Sequence, residues 1–117
     1  MTNYSTGHYA EQVASQYLKG HGYQIIETNW KTPKCEIDVV AKQNGAIYFF
    51  EVKYRRTHNQ GAGLDYITSK KLSQMAFSAE MWVQTNNWRG DYQLGAIEMS
   101  GEEFQIDNVV LDIYGNR

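Results

Sequence analysis

The sequence predicts an α+β or mixed α/β domain with one sheet and two main helices, in the order αβββαββ. Two segments carry apolar residues at helical spacing, and several others are strand-like runs rich in Val, Ile, Phe and Tyr. The dipeptide Asn44-Gly45 separates two of those runs and indicates a tight hairpin. The 117 residues, 42% of them hydrophobic and 14% aromatic, are enough for one hydrophobic core, so we expect a single domain over residues 1–117.

The first helix is predicted over residues 7–20, with Ser5 or Thr6 as its cap and Gly22 just beyond its end. Its apolar or small residues recur at helical spacing at Ala10, Val13, Ala14, Tyr17 and Leu18. The second helix is predicted from about Asp65 or Thr68 to Gln84. Its buried side would consist of Leu72, Met75, Ala76, Ala79 and Val83.

Strands are predicted over residues 23–29, 36–43, 46–53, 91–99 and 104–111. In the hairpin formed by the second and third strands, Glu36 and Asp38 share one face, and so do Glu51 and Lys53. A two-residue loop at Asn44-Gly45 places Asp38 directly opposite Glu51, and Glu36 directly opposite Lys53. A four-residue loop keeps this register, and a bulged three-residue loop breaks it.

Two opposed carboxylates require either a proton on one of them or a cation between them. Oxygen ligands at this spacing suit Mg²⁺, with Mn²⁺ as a substitute, and the metal's shell would be completed by water and phosphate oxygens. Lys53 lies one pleat from Glu51 and could stabilise charge that develops on a phosphate. Glu11, at the edge of the first helix's apolar stripe, is either an acid that bonds a metal-bound water or a first-turn acid favoured by the helix dipole.

Several segments resemble the YraN-like family of predicted endonucleases, which belongs to the PD-(D/E)XK superfamily and is similar to archaeal Holliday-junction resolvases. The matching segments are Gly7-x-x-x-Glu11-x-x-Ala14-x-x-Tyr17-Leu18, Gly22-Tyr23, Asn29-Trp30, Glu36-Ile37-Asp38-Val39-Val40, Phe50-Glu51-Val52-Lys53-x-Arg55 and Ile67-Thr68-x-x-Lys71, with Ala79. The resemblance implies a restriction-endonuclease-like fold, in which helices flank a mixed central sheet. It also implies that Asp38 and Glu51 are metal ligands, Lys53 the catalytic lysine and Glu11 the acid on the helix.

The chain departs from the family pattern at three positions. Cys35 and Ala10 stand where the family usually has glycine, and Gln93 stands where a later strand motif has an acid. The alignment after residue 84 is therefore weaker, whereas the hairpin motif is intact. Glu36 is interpreted as a supporting residue that pairs with Lys53.

Basic and polar residues on either side of a glycine-containing loop form a candidate nucleic-acid-binding rim. These residues are Arg55, Arg56, His58, Lys70, Lys71 and Gln74. The alternative is a solvated loop and a polar helix face. A net charge of −2 argues against binding by bulk electrostatic attraction, so any DNA contact has to depend on a local patch.

The function predicted from these patterns is Mg²⁺-dependent hydrolysis of DNA phosphodiester bonds. The resemblance to junction resolvases further suggests branched or structured DNA as substrate and a homodimer as the assembly. The alternatives are a non-catalytic nucleic-acid-binding or DNA-repair accessory module and a protein-interaction domain. No leader segment and no long apolar run is visible, so a cytoplasmic protein is expected. Cys35 is the only cysteine, which excludes an internal disulfide and favours a packed thiol.

Overall fold

The predicted element order is confirmed by a computed structural model, which describes residues 3–57 and 66–114. Two helices and five strands follow one another within these two ranges. They are α1 (Asn3–Gly20), β1 (Gln24–Thr32), β2 (Cys35–Gln43), β3 (Ala46–Arg55), α2 (Ser69–Thr85), β4 (Tyr92–Ser100) and β5 (Gln105–Val110).

The five strands form one mixed sheet in the order β1-β2-β3-β4-β5. β3 and β4 pair in parallel, and the other neighbouring strands pair antiparallel. The parallel pair exists because α2 lies between β3 and β4 in the chain and returns it to the same end of the sheet. The observed α+β architecture agrees with the predicted class.

A helix covers each face of the sheet, because alternate strand residues point to opposite sides. On one side, Ala14 and Leu18 of α1 pack with Phe50 and Ile97 in one hydrophobic cluster. A second cluster on the other side holds residues of α2, among them Leu72 and Trp82, with Phe49 and Leu94 of the strands. Glu51 lies in β3 between Phe50 and Val52, which both pack on the α1 side, and therefore points toward α2, like Phe49.

The predicted start agrees with the structure for α2 but not for α1. α2 begins just after Thr68, one of its two predicted starts, and Thr68 is its N-cap, since the hydroxyl accepts a hydrogen bond from the backbone N–H of Lys71 at 3.1 Å. α1 begins at Asn3, so the prediction that Ser5 or Thr6 caps it was wrong. Gly7 continues the helix there, and its surroundings are open.

The Asn44-Gly45 turn has the predicted geometry. Both residues have positive φ, 53° and 80°, as a two-residue hairpin loop of this type requires. The β2–β3 pairing starts at Gln43 and Ala46 and continues to Val39 and Phe50, which is the register that the short loop predicts.

The pairing of β2 with β3 ends at Val39 and Phe50, before it reaches the acidic residues. Beyond that point β2 stays with β1, where Glu36 is the partner of Lys31. The prediction that Glu36 lies opposite Lys53 was therefore wrong. Asp38 also replaces a regular ladder contact, since its Oδ2 accepts a hydrogen bond from the backbone N–H of Val52 at 2.8 Å.

The turn between β1 and β2 extends the sheet beyond the prediction. β1 continues past residue 29 to Thr32, which pairs with Cys35 across Pro33 and Lys34. This hairpin end projects the cationic residue Lys34 into solvent beside α2. Within the described ranges, no helix is long and apolar enough to cross a membrane.

Candidate functional site

Asp38 occupies the point at which β2 and β3 separate. Its carboxylate accepts from the N–H of Val52, and the negative charge of Glu11, which α1 supplies from one face of the sheet, acts on it electrostatically. Glu51 lies on the α2 side and acts on Asp38 through its negative charge. Three acidic side chains from two strands and a helix thus meet where the ladder ends, so the predicted grouping of Glu11, Asp38 and Glu51 is present.

The acids perturb one another electrostatically. Burial, then the negative charge of Glu51, raises the pKa of Asp38 from 3.8 to about 8, with smaller contributions from Glu11 and Glu36. Burial also raises the pKa of Glu11, although its interaction with the Asp38 side chain opposes the effect. Burial and neighbouring negative charges disfavour the ionised form of Asp38, so a positive charge beside it would stabilise the cluster.

Lys71 is the cation that contacts the cluster. Its Nζ lies 2.9 Å from Oε2 of Glu51, and both side chains are partly exposed. Burial favours the neutral amine, but the hydrogen bond and charge of Glu51 outweigh it and raise the pKa of Lys71. Sequence reasoning placed Lys71 in a phosphate-binding rim, and the structure brings it into the acidic cluster itself.

Lys53 lies on the same face as Glu51 but contacts an aromatic ring. Its Nζ is 5.7 Å from the ring centre of Tyr66. Burial, followed by the charges of Glu51 and Glu98, raises the pKa of Tyr66. Tyr66 thus connects the proposed catalytic lysine to the cluster.

Arg55 is directed inward, which differs from the phosphate contact that the sequence predicted. Its Nη1 donates to Oε2 of Glu98 at 2.9 Å, and the Glu98 side chain is only 4% exposed. Asn108 donates to the other carboxylate oxygen at 3.1 Å, and the guanidinium lies 5.4 Å from the ring centre of Tyr66. The Arg55–Glu98 pair is thus buried, and Arg55 contacts the same aromatic ring as Lys53.

Glu36 is exposed and lies 3.9 Å from Lys31, so its closest cation belongs to β1. Its negative charge nevertheless contributes to the raised pKa values of both Asp38 and Glu11. Gln93 pairs with Tyr48, three residues along β4 from the partner of Glu51, and so lies outside the cluster.

Of the remaining predicted nucleic-acid contacts, Lys70 and Gln74 are exposed on α2 and line the cleft described below. Arg56 is exposed at the end of the described part of the chain before residue 58. His58 lies outside the described residues.

A cleft of about 650 Å³ leads to Glu51 between the β1–β2 hairpin and α2. Four lysines line it against only two glutamates, Glu36 and Glu51, although the protein as a whole is acidic. The lysines are Lys31, Lys34, Lys70 and Lys71. The ring of Phe77, which is 47% exposed, also lines the cleft. We name this feature the lysine cleft.

Sequence reasoning did not find Tyr66, Phe77, Lys31 or Lys34. Lys31 and Lys34 flank the single proline of the chain, which marks a turn, but only the sheet register shows that this turn faces α2. Phe77 lies three residues after Gln74, a spacing that puts both on one side of a helix. No sequence pattern points to Tyr66.

The cluster fits a hard divalent cation through its donor chemistry. Carboxylate oxygens are the ligands that Mg²⁺ prefers, and the protein commonly supplies only one or two of them. Within the described residues, no three His, Cys, Asp or Glu side chains are arranged to hold a metal by themselves. Asp38 and Glu51 would therefore be the protein's ligands, with water and phosphate oxygens completing the shell. A small recess of about 20 Å³ borders both acids, and this is room for about one water.

The fold and site define a mixed-sheet α+β protein with an acidic cluster where two central strands part. The chain belongs to the uncharacterised protein family UPF0102, which it matches over residues 10–110. It is 36% identical over 106 residues to a UPF0102 protein of Cytophaga hutchinsonii, covering 91% of this chain and 94% of the relative. It is also 33% identical over 104 residues to a UPF0102 protein of Sulfurihydrogenibium, covering 87% and 90%. A Campylobacter hominis UPF0102 protein is 30% identical over 112 residues, with 95% and 98% covered.

Proposed function

We propose that this protein is a metal-dependent endonuclease that hydrolyses DNA phosphodiester bonds. The observation that carries the proposal is the meeting of Glu11, Asp38 and Glu51 at the end of the β2–β3 ladder, beside Lys53 and Lys71. Acids that raise one another's pKa need a cation to be fully ionised, and a phosphodiester needs its charge neutralised before water can attack it.

Each side chain has a distinct role in this proposal. Asp38 and Glu51 would hold Mg²⁺, or Mn²⁺ in its place, which lowers the pKa of a bound water and neutralises the scissile phosphate when it is present. Glu11 would add a further negative charge beside Asp38 and could accept a hydrogen bond from a metal-bound water. Lys53 offers a point charge to the phosphate oxygens, and the Tyr66 ring holds it near the acids.

Lys71 supports the same proposal from α2. It neutralises Glu51 in the structure, and a phosphate oxygen is an alternative partner for its ammonium group. The lysine cleft would then bind the DNA backbone and direct it toward Asp38 and Glu51. Branched or structured DNA as the preferred substrate, and a homodimer as the active assembly, remain proposals that depend on the resemblance to junction resolvases.

The same ion pairs favour one competing function. Lys71 bonds Glu51 and Lys31 lies near Glu36, so lysines alone balance part of the acidic charge. A non-catalytic nucleic-acid-binding module would use the lysine cleft in the same way and leave the backbone of the DNA intact.

A cleavage assay separates the two functions. End-labelled duplex, flap and four-way-junction DNA are incubated with the protein in Mg²⁺, in Mn²⁺ and in EDTA. We expect metal-dependent cleavage that Asp38→Ala and Lys53→Ala each abolish, whereas Asp107→Ala, at an exposed position on β5, cleaves like the wild type.

Cleavage by purified Asp38→Ala protein would place the chemistry at another site or in a contaminant. DNA binding without cleavage in either metal would favour the non-catalytic module.

A further inference from the structure

We infer that the lysine cleft binds a single-stranded segment of nucleic acid, with phosphates on Lys34 and Lys70 and an unpaired base stacked on Phe77. The inference rests on the proposed function, because the strand would end at the acids assigned to the metal. It names the substrate class of that site, which the acidic cluster alone does not specify.

The positive charge of the cleft favours a ligand that carries phosphates. Among the described residues that line the cleft, four lysines meet two glutamates, so the cleft carries an excess of positive charge on a protein whose net charge is −2. Lys34 stands on the turn of the β1–β2 hairpin and Lys70 in the first turn of α2, on opposite walls. A chain of phosphates lying between the walls can contact both.

Phe77 favours a single strand over a duplex. Its ring is 47% exposed in the wall of the cleft, so part of an aromatic surface is open to a ligand there. Base–aromatic stacking stabilises single strands by about 1–3 kcal/mol per base. In a duplex, each base is already stacked and paired, so its face is not available to a side chain.

The position of Glu51 also favours a single-stranded ligand. It lines the cleft and its side chain is only 22% exposed, so a phosphodiester that lies in the cleft can reach it. A single strand bends readily enough to do so. The cleft would therefore admit an overhang, a flap or an unpaired stretch beside a duplex.

Binding in EDTA tests the inference separately from catalysis. Fluorescence anisotropy is measured with labelled oligothymidylate and with a blunt duplex of the same length. We expect the single strand to bind at least about tenfold more tightly. Phe77→Leu should weaken its binding about fivefold or more, and Phe77→Trp should restore it, since leucine keeps an apolar surface but cannot stack.

Salt titrations test the two lysines. Lys34→Gln and Lys70→Gln should each reduce the slope of log affinity against log salt by about 0.7, because each removes one phosphate contact. Lys19→Gln, on the exposed side of α1 and away from the cleft, should leave the slope unchanged.

Equal affinity for duplex and single strand, or wild-type affinity in Phe77→Leu, would overturn the inference even if the protein cleaves DNA. The predicted binding pattern without metal-dependent cleavage would support the cleft and contradict the proposed endonuclease. A single-stranded RNA of uracils serves as a second probe. Tighter binding of this RNA would mean that the cleft prefers single-stranded RNA to single-stranded DNA.

Discussion

Lys71 Nζ lies 2.9 Å from Oε2 of Glu51, and this contact ties the first turn of α2 to the central strand β3. The N-cap Thr68 fixes the start of that helix and thereby positions Lys71. A helix-borne lysine thus neutralises an acid that the sequence motif assigns to a metal. A divalent cation bound to Glu51, as proposed, would compete with Lys71 for the same carboxylate.

The competition predicts that Lys71→Gln binds Mn²⁺ about two- to fivefold more tightly than the wild type. A partly exposed ion pair is worth up to about 1 kcal/mol, and the variant no longer has to break it. Isothermal titration calorimetry measures the affinity. Lys70→Gln, which removes an exposed neighbouring lysine, is the control and should change little. Weaker binding in Lys71→Gln would instead mean that the lysine holds Glu51 in its ligand position.

Asp38 predicts a pH dependence of stability in EDTA. Its pKa is about 8 in the folded protein against 3.8 as the ordinary value, so between these limits the folded state keeps a proton that the unfolded state loses. Stability due to this group therefore falls as pH rises through that window, by roughly 1–3 kcal/mol between pH 5 and pH 8.

Asp38→Asn should flatten this profile. The amide oxygen still accepts from the Val52 N–H but cannot ionise, so the variant is more stable than the wild type at pH 8. Denaturant titrations at several pH values give the free energies of unfolding. Asp107→Asn on exposed β5 is the matched control. Parallel profiles for the wild type and Asp38→Asn would show that Asp38 is ionised across the range.

Gly95 predicts a steric effect in the sheet. A Cβ at this position would lie 2.7 Å from the backbone oxygen of Val110 and 2.7 Å from the ring of Phe50. Gly95→Ala is therefore expected to lower the free energy of unfolding by about 1–3 kcal/mol. Gly7→Ala in α1, where the space is open, should raise it by about 0.5–1 kcal/mol. Thermal and chemical denaturation measure both, and a neutral Gly95→Ala would require β5 to move without cost.

Two ion pairs predict different costs for losing one charge. Glu98→Gln leaves the Arg55 guanidinium, 15% exposed, without a counter-ion and should destabilise the protein by about 2–4 kcal/mol. Lys31→Gln breaks an exposed pair at 3.9 Å and should cost less than about 0.5 kcal/mol. Urea titrations compare the two variants. Equal small effects would mean that the charge of Arg55 is compensated elsewhere.

Local rules predicted much of the fold because its determinants are local. The positive φ of Asn44 and Gly45 set the β2–β3 register, and Thr68 set the start of α2. The misplaced Glu36–Lys53 pair has a long-range cause. A regular ladder was extrapolated beyond Val39, whereas the Asp38 carboxylate takes the Val52 N–H there and β2 continues with β1.

The sequence predicted the acidic residues of the site better than the contacts of its cationic residues. Motif spacing identifies Asp38, Glu51 and Lys53, but the approach of α2 to β3 decides that Lys71 contacts Glu51. The inward turn of Arg55 likewise depends on β4, which supplies Glu98 more than forty residues later in the chain. Contacts between distant segments leave no periodic trace in the sequence.

The central claim is that Asp38 and Glu51 together bind a divalent cation. Backbone amide NMR spectra recorded during Mg²⁺ and Mn²⁺ titration test it most directly. We predict shift changes in Mg²⁺ and paramagnetic broadening in Mn²⁺, confined to residues 36–38 and 51–53 and the start of α2, with both lost in Asp38→Asn. The absence of any response at millimolar metal, or the same response in Asp38→Asn, would contradict the claim.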